Sequence, residues 1–122
     1  MWVSSGFAAI IVAYFLNKIV VNRYGSKAII YFVPVIEETC KTVSGYLTCS
    51  ILLSHLMFGI AEAVNDYIKS SYKINFRAAV LSILSHSFFG LTAYVLVLKT
   101  NIFLAIAITS LIHGFWNRLM LR

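Results

Sequence analysis

Long apolar runs joined by short polar stretches make up almost the whole chain. The runs cover residues 6–21, 28–46, 47–66, 78–98 and 102–121. A run of about 20 apolar residues is the length that crosses the hydrocarbon core of a bilayer as an α-helix. The pattern therefore predicts an all-α, polytopic transmembrane bundle of about five spans, formed by a single domain over residues 1–122.

The composition supports a membrane location, and it indicates that the positive charge serves membrane topology and lipid contacts. Of the 122 residues, 61% are hydrophobic and 11% are charged, and the formal net charge is +6. Soluble domains carry about 25% charged residues. The lysine and arginine residues lie mostly between the apolar runs, where they determine topology and contact lipid headgroups. We therefore expect the lipid bilayer as a partner and no nucleic acid.

The basic residues also predict an orientation. If the N-terminus is outside, the inner side holds eight of them and the outer side holds only Lys99. The positive-inside rule then places the C-terminus in the cytoplasm. The first run lacks a charged leader and a cleavage site, so we expect it to be an anchoring helix. The inner set is Lys18, Arg23, Lys27, Lys69, Lys73, Arg77, Arg118 and Arg122.

Three of the four acidic residues lie within apolar runs. Glu37 and Glu38 are adjacent in the stretch VPVIEETCK, residues 33–41, and Glu62 lies in the next run. A charged side chain at the centre of a bilayer costs at least about 2.5–3.5 kcal/mol, so such residues mark functional sites that face the bundle interior. Glu37 and Lys41 are four residues apart and share one helix face, whereas Glu38 is turned by about 100°.

Two glutamates and two histidines are predicted to reach one depth. With a rise of about 1.5 Å per residue, Glu37 and His86 lie roughly 13–14 Å from the cytoplasmic ends of their helices. Glu62 and His113 descend from outside and arrive roughly 12–14 Å above the same face of a core of about 30 Å. Such a cluster suits a general base that activates water. Asn117, one turn beyond His113, offers an amide donor for an oxyanion.

Four motifs in this order resemble the PrsW family of bacterial membrane proteases. Residues 34–41 (PVIEETCK) resemble its EExxK motif, and residues 58–62 (FGIAE) resemble its FxxxE motif. Residues 86–90 (HSFFG) are similar to its histidine motif, and residues 111–117 (LIHGFWN) to its terminal HxxxN. The related type II CAAX prenyl proteases and Abi proteins have EExxxR as the first motif, so the position of Lys41 favours the PrsW branch.

The resemblance implies a glutamate-dependent intramembrane protease of the bacterial plasma membrane. Its substrates would be membrane-anchored regulators such as anti-sigma factors. Water would be activated by Glu37 with His86 or His113, and Asn117 would stabilise the oxyanion. The chain is smaller than most members of the family. Its substrate, and whether it is active without a partner protein, are therefore left open by the resemblance. The predicted catalytic residues are Glu37, Glu38, Glu62, His86, His113 and Asn117, supported by Lys41 and Phe58.

A metal site is the main chemical alternative. Two histidines and two carboxylates would satisfy a tetrahedral zinc site. The sequence has no HExxH motif, however, and Lys41 already offsets negative charge beside Glu37. We favour a site without metal or cofactor and keep zinc, or another divalent ion, as the alternative. Its ligands would be Glu37, Glu62, His86 and His113.

Two other functions fit the same pattern. The chain could be a non-catalytic membrane binding or immunity protein built on this scaffold. It could also carry cations or protons with its buried carboxylates. A bundle of five short helices could form a homodimer that completes its cavity. We interpret His55 as a histidine satisfied within the core, and Cys40 and Cys49 as free thiols.

Overall fold

The computed structural model describes residues 2–69 and 72–121, and in that part of the chain helices joined by short turns are present, with no strand. The predicted all-α class is therefore confirmed. The side chains of Lys73 and Arg122, which belong to the predicted cytoplasmic set, lie outside the described residues. The helical segments are α1 (Trp2–Tyr24), α2 (Ser26–Tyr31), α3 (Val33–Leu47), α4 (Ile51–Lys69), α5 (Tyr72–Lys99) and α6 (Ile102–Met120).

Three of these helices are long and apolar enough to cross a membrane. They are the segments Val3–Tyr24 of α1, Phe76–Lys99 of α5 and Ile102–Met120 of α6. They correspond to the first, fourth and fifth predicted spans. In contrast, α3 has only 15 residues, and the acidic residues of the chain are concentrated in α3 and α4. The chain thus has the character of a membrane protein, while the count of five spans and the orientation stay predictions.

The second predicted run is broken into two helices. The sequence analysis predicts one helix over residues 28–46, but α2 ends at Tyr31 and α3 begins at Val33. Pro34 in the first turn of α3 has no N–H, so it cannot donate to the carbonyl of Ile30. The break exposes backbone carbonyl groups that α6 helps to satisfy, since Asn117 Nδ2 donates to the Ile29 carbonyl over 2.9 Å.

Other predicted helix ends also need correction. The turn between α3 and α4 lies at residues 48–50 and not at residues 46–47, with Cys49 at a positive φ of 53°. The polar segment 67–77 was predicted as a connection, yet α4 continues to Lys69 and α5 begins at Tyr72. This segment contains no glycine or proline that would end a helix. Polarity alone was therefore a poor guide to the helix ends.

α3 is the central helix, since it contacts α1, α2, α4 and α6. Close crossings between α4 and α5 depend on glycine. A Cβ atom at Gly90 would lie 2.7 Å from His55 Cβ, and one at Gly59 would lie 3.0 Å from His86 Cβ. Glycine at these two positions lets each helix approach a histidine of the other. The polar side chains of α3, α4, α5 and α6 consequently meet in one place.

Candidate functional site

Lys41 is the centre of the polar interior. Its side chain is fully buried, and its ammonium group donates to Glu37 Oε2 at 3.1 Å, Glu38 Oε1 at 2.9 Å and His86 Nδ1 at 2.9 Å. An ammonium has three N–H donors, so all of them are used. The ammonium nitrogen also lies 5.0 Å from the centre of the Phe58 ring, which is a cation–π contact. The predicted supporting residues therefore hold the two glutamates in place.

Glu38 joins α3 to α6 and approaches α4. Its Oε1 accepts hydrogen bonds from Lys41 and from His113 Nδ1, the latter at 2.8 Å. Its Oε2 has no hydrogen-bond partner, and the nearest titratable atom is His55 Nδ1 at 3.7 Å. The other nitrogen of His55 lies 3.3 Å from Thr42 Oγ1. Glu38 thus lies between two histidines and contacts one of them.

His86 connects Lys41 to Glu62. Because the Lys41 ammonium donates to Nδ1 of a neutral ring, the proton of that ring is on Nε2. His86 Nε2 then donates to Glu62 Oε2 at 2.7 Å. The same carboxylate oxygen accepts a hydrogen bond from Ser82 Oγ at 3.2 Å. Both nitrogens of His86 are therefore engaged, and the ring links the two ends of the cluster.

His113 has one nitrogen that is not engaged in this way. Its Nδ1 donates to Glu38, so in the neutral ring Nε2 is the acceptor. This Nε2 lies 4.0 Å from Glu37 Oε2, which is beyond hydrogen-bond distance. The ring stacks on Phe89, with centres 4.9 Å apart and planes at 25°. The imidazole is thus held rigidly with an unprotonated nitrogen directed toward a carboxylate.

Two residues of the site were not among the predicted site residues. Asn17 was not predicted at all, and His55 was predicted only as a core histidine. Asn17 of α1 donates from Nδ2 to Glu37 Oε1 at 2.8 Å, and its own Oδ1 is buried without a partner. The available signal was the only amide side chain within the first apolar run, directly before Lys18. His55 was interpreted as an ordinary core histidine, but it is fully buried beside Glu38. We call the set Glu37, Glu38, Lys41, His55, Glu62, His86 and His113 the polar cluster.

Asn117 is near the cluster but is used elsewhere. It lines the same cavity as His113, yet its amide nitrogen donates to the Ile29 carbonyl at the helix break. The predicted role in binding an oxyanion would require this amide to leave Ile29. In the observed rotamer, Asn117 joins α6 to α2.

Two cavities reach the polar cluster. A cavity of about 240 Å³ between α1 and α4 is lined by Glu37, Glu62 and, toward the end of α4, Lys69. A smaller one of about 140 Å³ between α5 and α6 is lined by Glu62, His86 and His113. The Glu62 side chain is 40% exposed and lines both. The cluster is therefore open to small molecules such as water from two sides of Glu62.

The cluster contains a partial set of metal ligands. One ligand atom each from Glu37, His86 and His113 lies within 4.8 Å of the others, and all three residues are buried. Zinc binds such atoms at about 2.0–2.2 Å. In the observed arrangement both nitrogens of His86 are bonded to Lys41 and Glu62. A metal would have to break one of these bonds and approach the Lys41 ammonium, so these rotamers do not fit a metal centre.

Charge distinguishes the cluster from ordinary helix packing. Glu37, Glu38 and Glu62 face one lysine, so with neutral histidines the cluster carries two uncompensated negative charges. Buried charges without a partner are strongly destabilising. A bound proton or cation would offset them.

No protein-family model matches the chain, and no curated protein or solved structure matches it. Any function proposed for the chain therefore rests on its own residues.

Proposed function

We propose that the protein is an intramembrane peptidase that hydrolyses peptide bonds of membrane-anchored proteins. The observation that carries the proposal is the pair formed by Glu37 Oε2 and His113 Nε2, a carboxylate oxygen and an unprotonated nitrogen 4.0 Å apart in a buried cluster. A water molecule between them can hydrogen-bond to both. The PrsW-like motifs, which contribute every charged member of the cluster, support the same chemistry.

The proposed reaction begins with water in this gap. One of its protons passes to His113 Nε2 or Glu37 Oε2 as its oxygen attacks the scissile carbonyl carbon. The tetrahedral oxyanion then collapses, the C–N bond breaks, and the proton is delivered to the leaving nitrogen. The products are a carboxylic acid, which keeps the second proton of the water, and an amine. Glu38 orients His113 through the bond to Nδ1, which is the role that a carboxylate plays behind a catalytic histidine.

The geometry favours His113 over His86 as the histidine that contacts water. Both nitrogens of His86 already have partners, and its hydrogen bond to Glu62 positions that carboxylate between the two cavities. In this proposal His86 and Lys41 maintain the charge state of the glutamates. Asn117 binds the oxyanion after its amide turns away from Ile29. A substrate enters the α1–α4 cavity, where Lys69 lies at the end of α4.

The proposed topology has five spans, with α2 and α3 forming the second and α4 the third. The N-terminus is outside and the C-terminus is cytoplasmic, in a bacterial plasma membrane. This orientation places Arg23, Lys27, Lys69 and Arg118 on the cytoplasmic side, as the positive-inside rule expects. The cluster then lies in the cytoplasmic half of the bilayer, near the juxtamembrane segment of a single-span substrate.

The test compares cells that produce the wild type with cells that produce Glu37→Gln at equal levels. Quantitative proteomics of cleaved termini is expected to find a membrane protein truncated only in wild-type cells. Thr39→Ala is the matched control, because Thr39 is an exposed neighbour on α3 whose hydroxyl donates to the Val35 carbonyl. It should cleave as the wild type does. Identical profiles for all three, with a phenotype that survives Glu37→Gln, would support the binding or immunity function instead.

A second candidate function has a specific observation in its favour. Titratable groups form an unbroken hydrogen-bonded chain from Glu37 through Lys41 and His86 to Glu62. Both ends line the α1–α4 cavity, and Glu62 also lines the α5–α6 cavity, so the chain connects the two cavities. Such a chain fits a proton or cation carrier. Ion flux into liposomes that contain the purified protein distinguishes the carrier from the peptidase. A peptidase that does not transport ions should give no flux above that of empty liposomes.

A further inference from the structure

A third cavity lies on the far side of α6 from the polar cluster. It has a volume of about 600 Å³ and runs between α6 and the broken pair α2 and α3. Its walls are mostly apolar side chains that stay largely exposed, including Phe103 at 81%, Leu111 at 75% and Tyr31 at 63%. We call this cavity the outer groove. The proposed peptidase chemistry uses none of its lining residues.

The groove has one charged end. Arg118 lines it in the last turn of α6. Lys27 is exposed one turn before Tyr31 on the same face of α2, because residues four apart share a helix face. The Asn117–Ile29 hydrogen bond fixes the level of α6 against α2, so Lys27 and Arg118 lie at the same end. Arg118 thus lines this mouth, helix register places Lys27 at the same end, and the rest of the lining is mostly apolar.

The groove has the length of a lipid chain. Phe103 and Arg118 are fifteen residues apart on α6, which corresponds to about 22 Å at 1.5 Å per residue. One leaflet takes up about half of a hydrocarbon core of roughly 30 Å. A chain that enters beside Arg118 can therefore stay within the groove through its whole leaflet. The charged mouth lies where the headgroup of that lipid would be.

We propose that the outer groove binds one acidic phospholipid, with its phosphate at Lys27 and Arg118 and one acyl chain along α6. Two cations at the mouth favour anionic over zwitterionic headgroups, and each cation near the surface contributes to that attraction. The apolar walls favour an acyl chain over water through burial of apolar surface. The site is independent of the peptidase proposal and is formed by the other face of α6.

The test is native mass spectrometry of the purified full chain, titrated with phosphatidylglycerol or phosphatidylcholine of the same acyl composition. We expect one phosphatidylglycerol to bind at least about tenfold more tightly than phosphatidylcholine. Lys27→Gln and Arg118→Gln should each weaken it about fivefold, and the double variant about 25-fold. Ala107→Phe, which fills the groove from an exposed position and leaves both cations in place, should abolish retention of either lipid.

Two variants serve as charge-matched controls. Arg23→Gln removes a cation that contacts Tyr24 at the end of α1, and Lys99→Gln removes one in the last turn of α5. Both should bind phosphatidylglycerol as the wild type does. Equal weakening by Arg23→Gln would overturn the site in favour of general surface attraction.

Three other outcomes would also overturn the proposal. One is equal binding of the two lipids by the wild type. Another is full competition by glycerol phosphate, which would indicate a phosphate site without an acyl chain. The third is a dimer that Ala107→Phe converts to monomer with no change in lipid binding, which would make a second copy the occupant. Circular dichroism of each variant confirms that a loss of binding is not a loss of fold.

Discussion

The two faces of α6 contact very different surroundings. The inner face carries His113 and Asn117, which make hydrogen bonds at 2.8 Å and 2.9 Å to groups on other helices. The outer face carries Ala107, Leu111 and Phe115, which are exposed along the outer groove. The inner face depends on the exact position of single atoms, whereas the outer face depends on apolar surface and tolerates changes of shape. Substitutions on the inner face should therefore lower the free energy of unfolding by more than substitutions on the outer face.

The largest effect is expected at Lys41. Lys41→Met keeps the volume of the side chain but removes the ammonium that contacts Glu37, Glu38 and His86. Loss of one partner in a buried ion pair costs about 3–5 kcal/mol. The free energy of unfolding, measured by SDS titration in mixed micelles, should fall by that amount. Val35→Ala on the outer side of α3 should change it far less, and an equal loss would contradict the contrast between the faces.

A double variant sharpens this result. Lys41→Met together with Glu37→Gln removes one positive and one negative charge, so it should recover part of the lost stability. No recovery would mean that Lys41 stabilises the fold by packing against Phe58 and not through its charge.

The next effect is expected where α6 crosses the break between α2 and α3. A Cβ atom at Gly114 would lie 2.6 Å from the Ile30 carbonyl oxygen, a backbone atom that cannot turn aside. Gly114→Ala should therefore separate the helices and destabilise the protein by about 1–3 kcal/mol. Ala107→Val on the outer face adds volume to an exposed position and should have little effect in the same SDS titration. Similar losses for both would show that the outer face is also tightly packed.

A smaller effect is expected at Asn117. Asn117→Ala removes the hydrogen bond to the Ile29 carbonyl, and such bonds between membrane helices contribute about 0.6 kcal/mol on average and at most about 1.7 kcal/mol. The outer-face variant Leu111→Ala is measured beside it. If the peptidase proposal is correct, Asn117→Ala should also lower kcat by far more than this stability loss explains. A variant of normal stability and normal kcat would remove Asn117 from both roles.

No effect is expected from removal of metal. Dialysis against a chelator should leave the unfolding midpoint unchanged, because Lys41 and Glu62 occupy the nitrogens of His86. Elemental analysis of the purified protein should find far less than one zinc per chain. A stoichiometric metal, with a lower midpoint after chelation, would show that the inner face rearranges and that His86 releases one of its partners.

The sequence predicted the helical class and the part of the chain where the polar cluster lies, because buried charge in an apolar run has few explanations. Glu37 and Lys41 could be paired by their spacing alone, and the structure has them 3.1 Å apart. The break at Phe32 was not predicted, since Pro34 is compatible with a kinked helix or with two helices. Beside the break, the Ile29 carbonyl accepts a hydrogen bond from Asn117 of α6, a contact between helices that the sequence does not reveal.

The contributions of Asn17 and His55 could not be predicted from the sequence. Each lies in a largely apolar run, and its direction depends on how α1 and α4 rotate against α3. That rotation is determined by packing, for example by Gly90 against His55 and by Gly6 against Met57. Helix periodicity fixes which residues share a face but not which neighbour that face meets.

The concentration of charge in α3 also bears on how the chain enters the membrane. This helix has 15 residues, and Glu37, Glu38 and Lys41 would each cost about 2.5–3.5 kcal/mol in an isolated segment at the bilayer centre. The hydrogen bonds that stabilise these groups come partly from His86 and His113, which are synthesised later. In the proposed five-span topology, stable insertion of α3 therefore has to wait for α5 and α6. Biogenesis would then be a cooperative step in which the last helices complete the proposed second span.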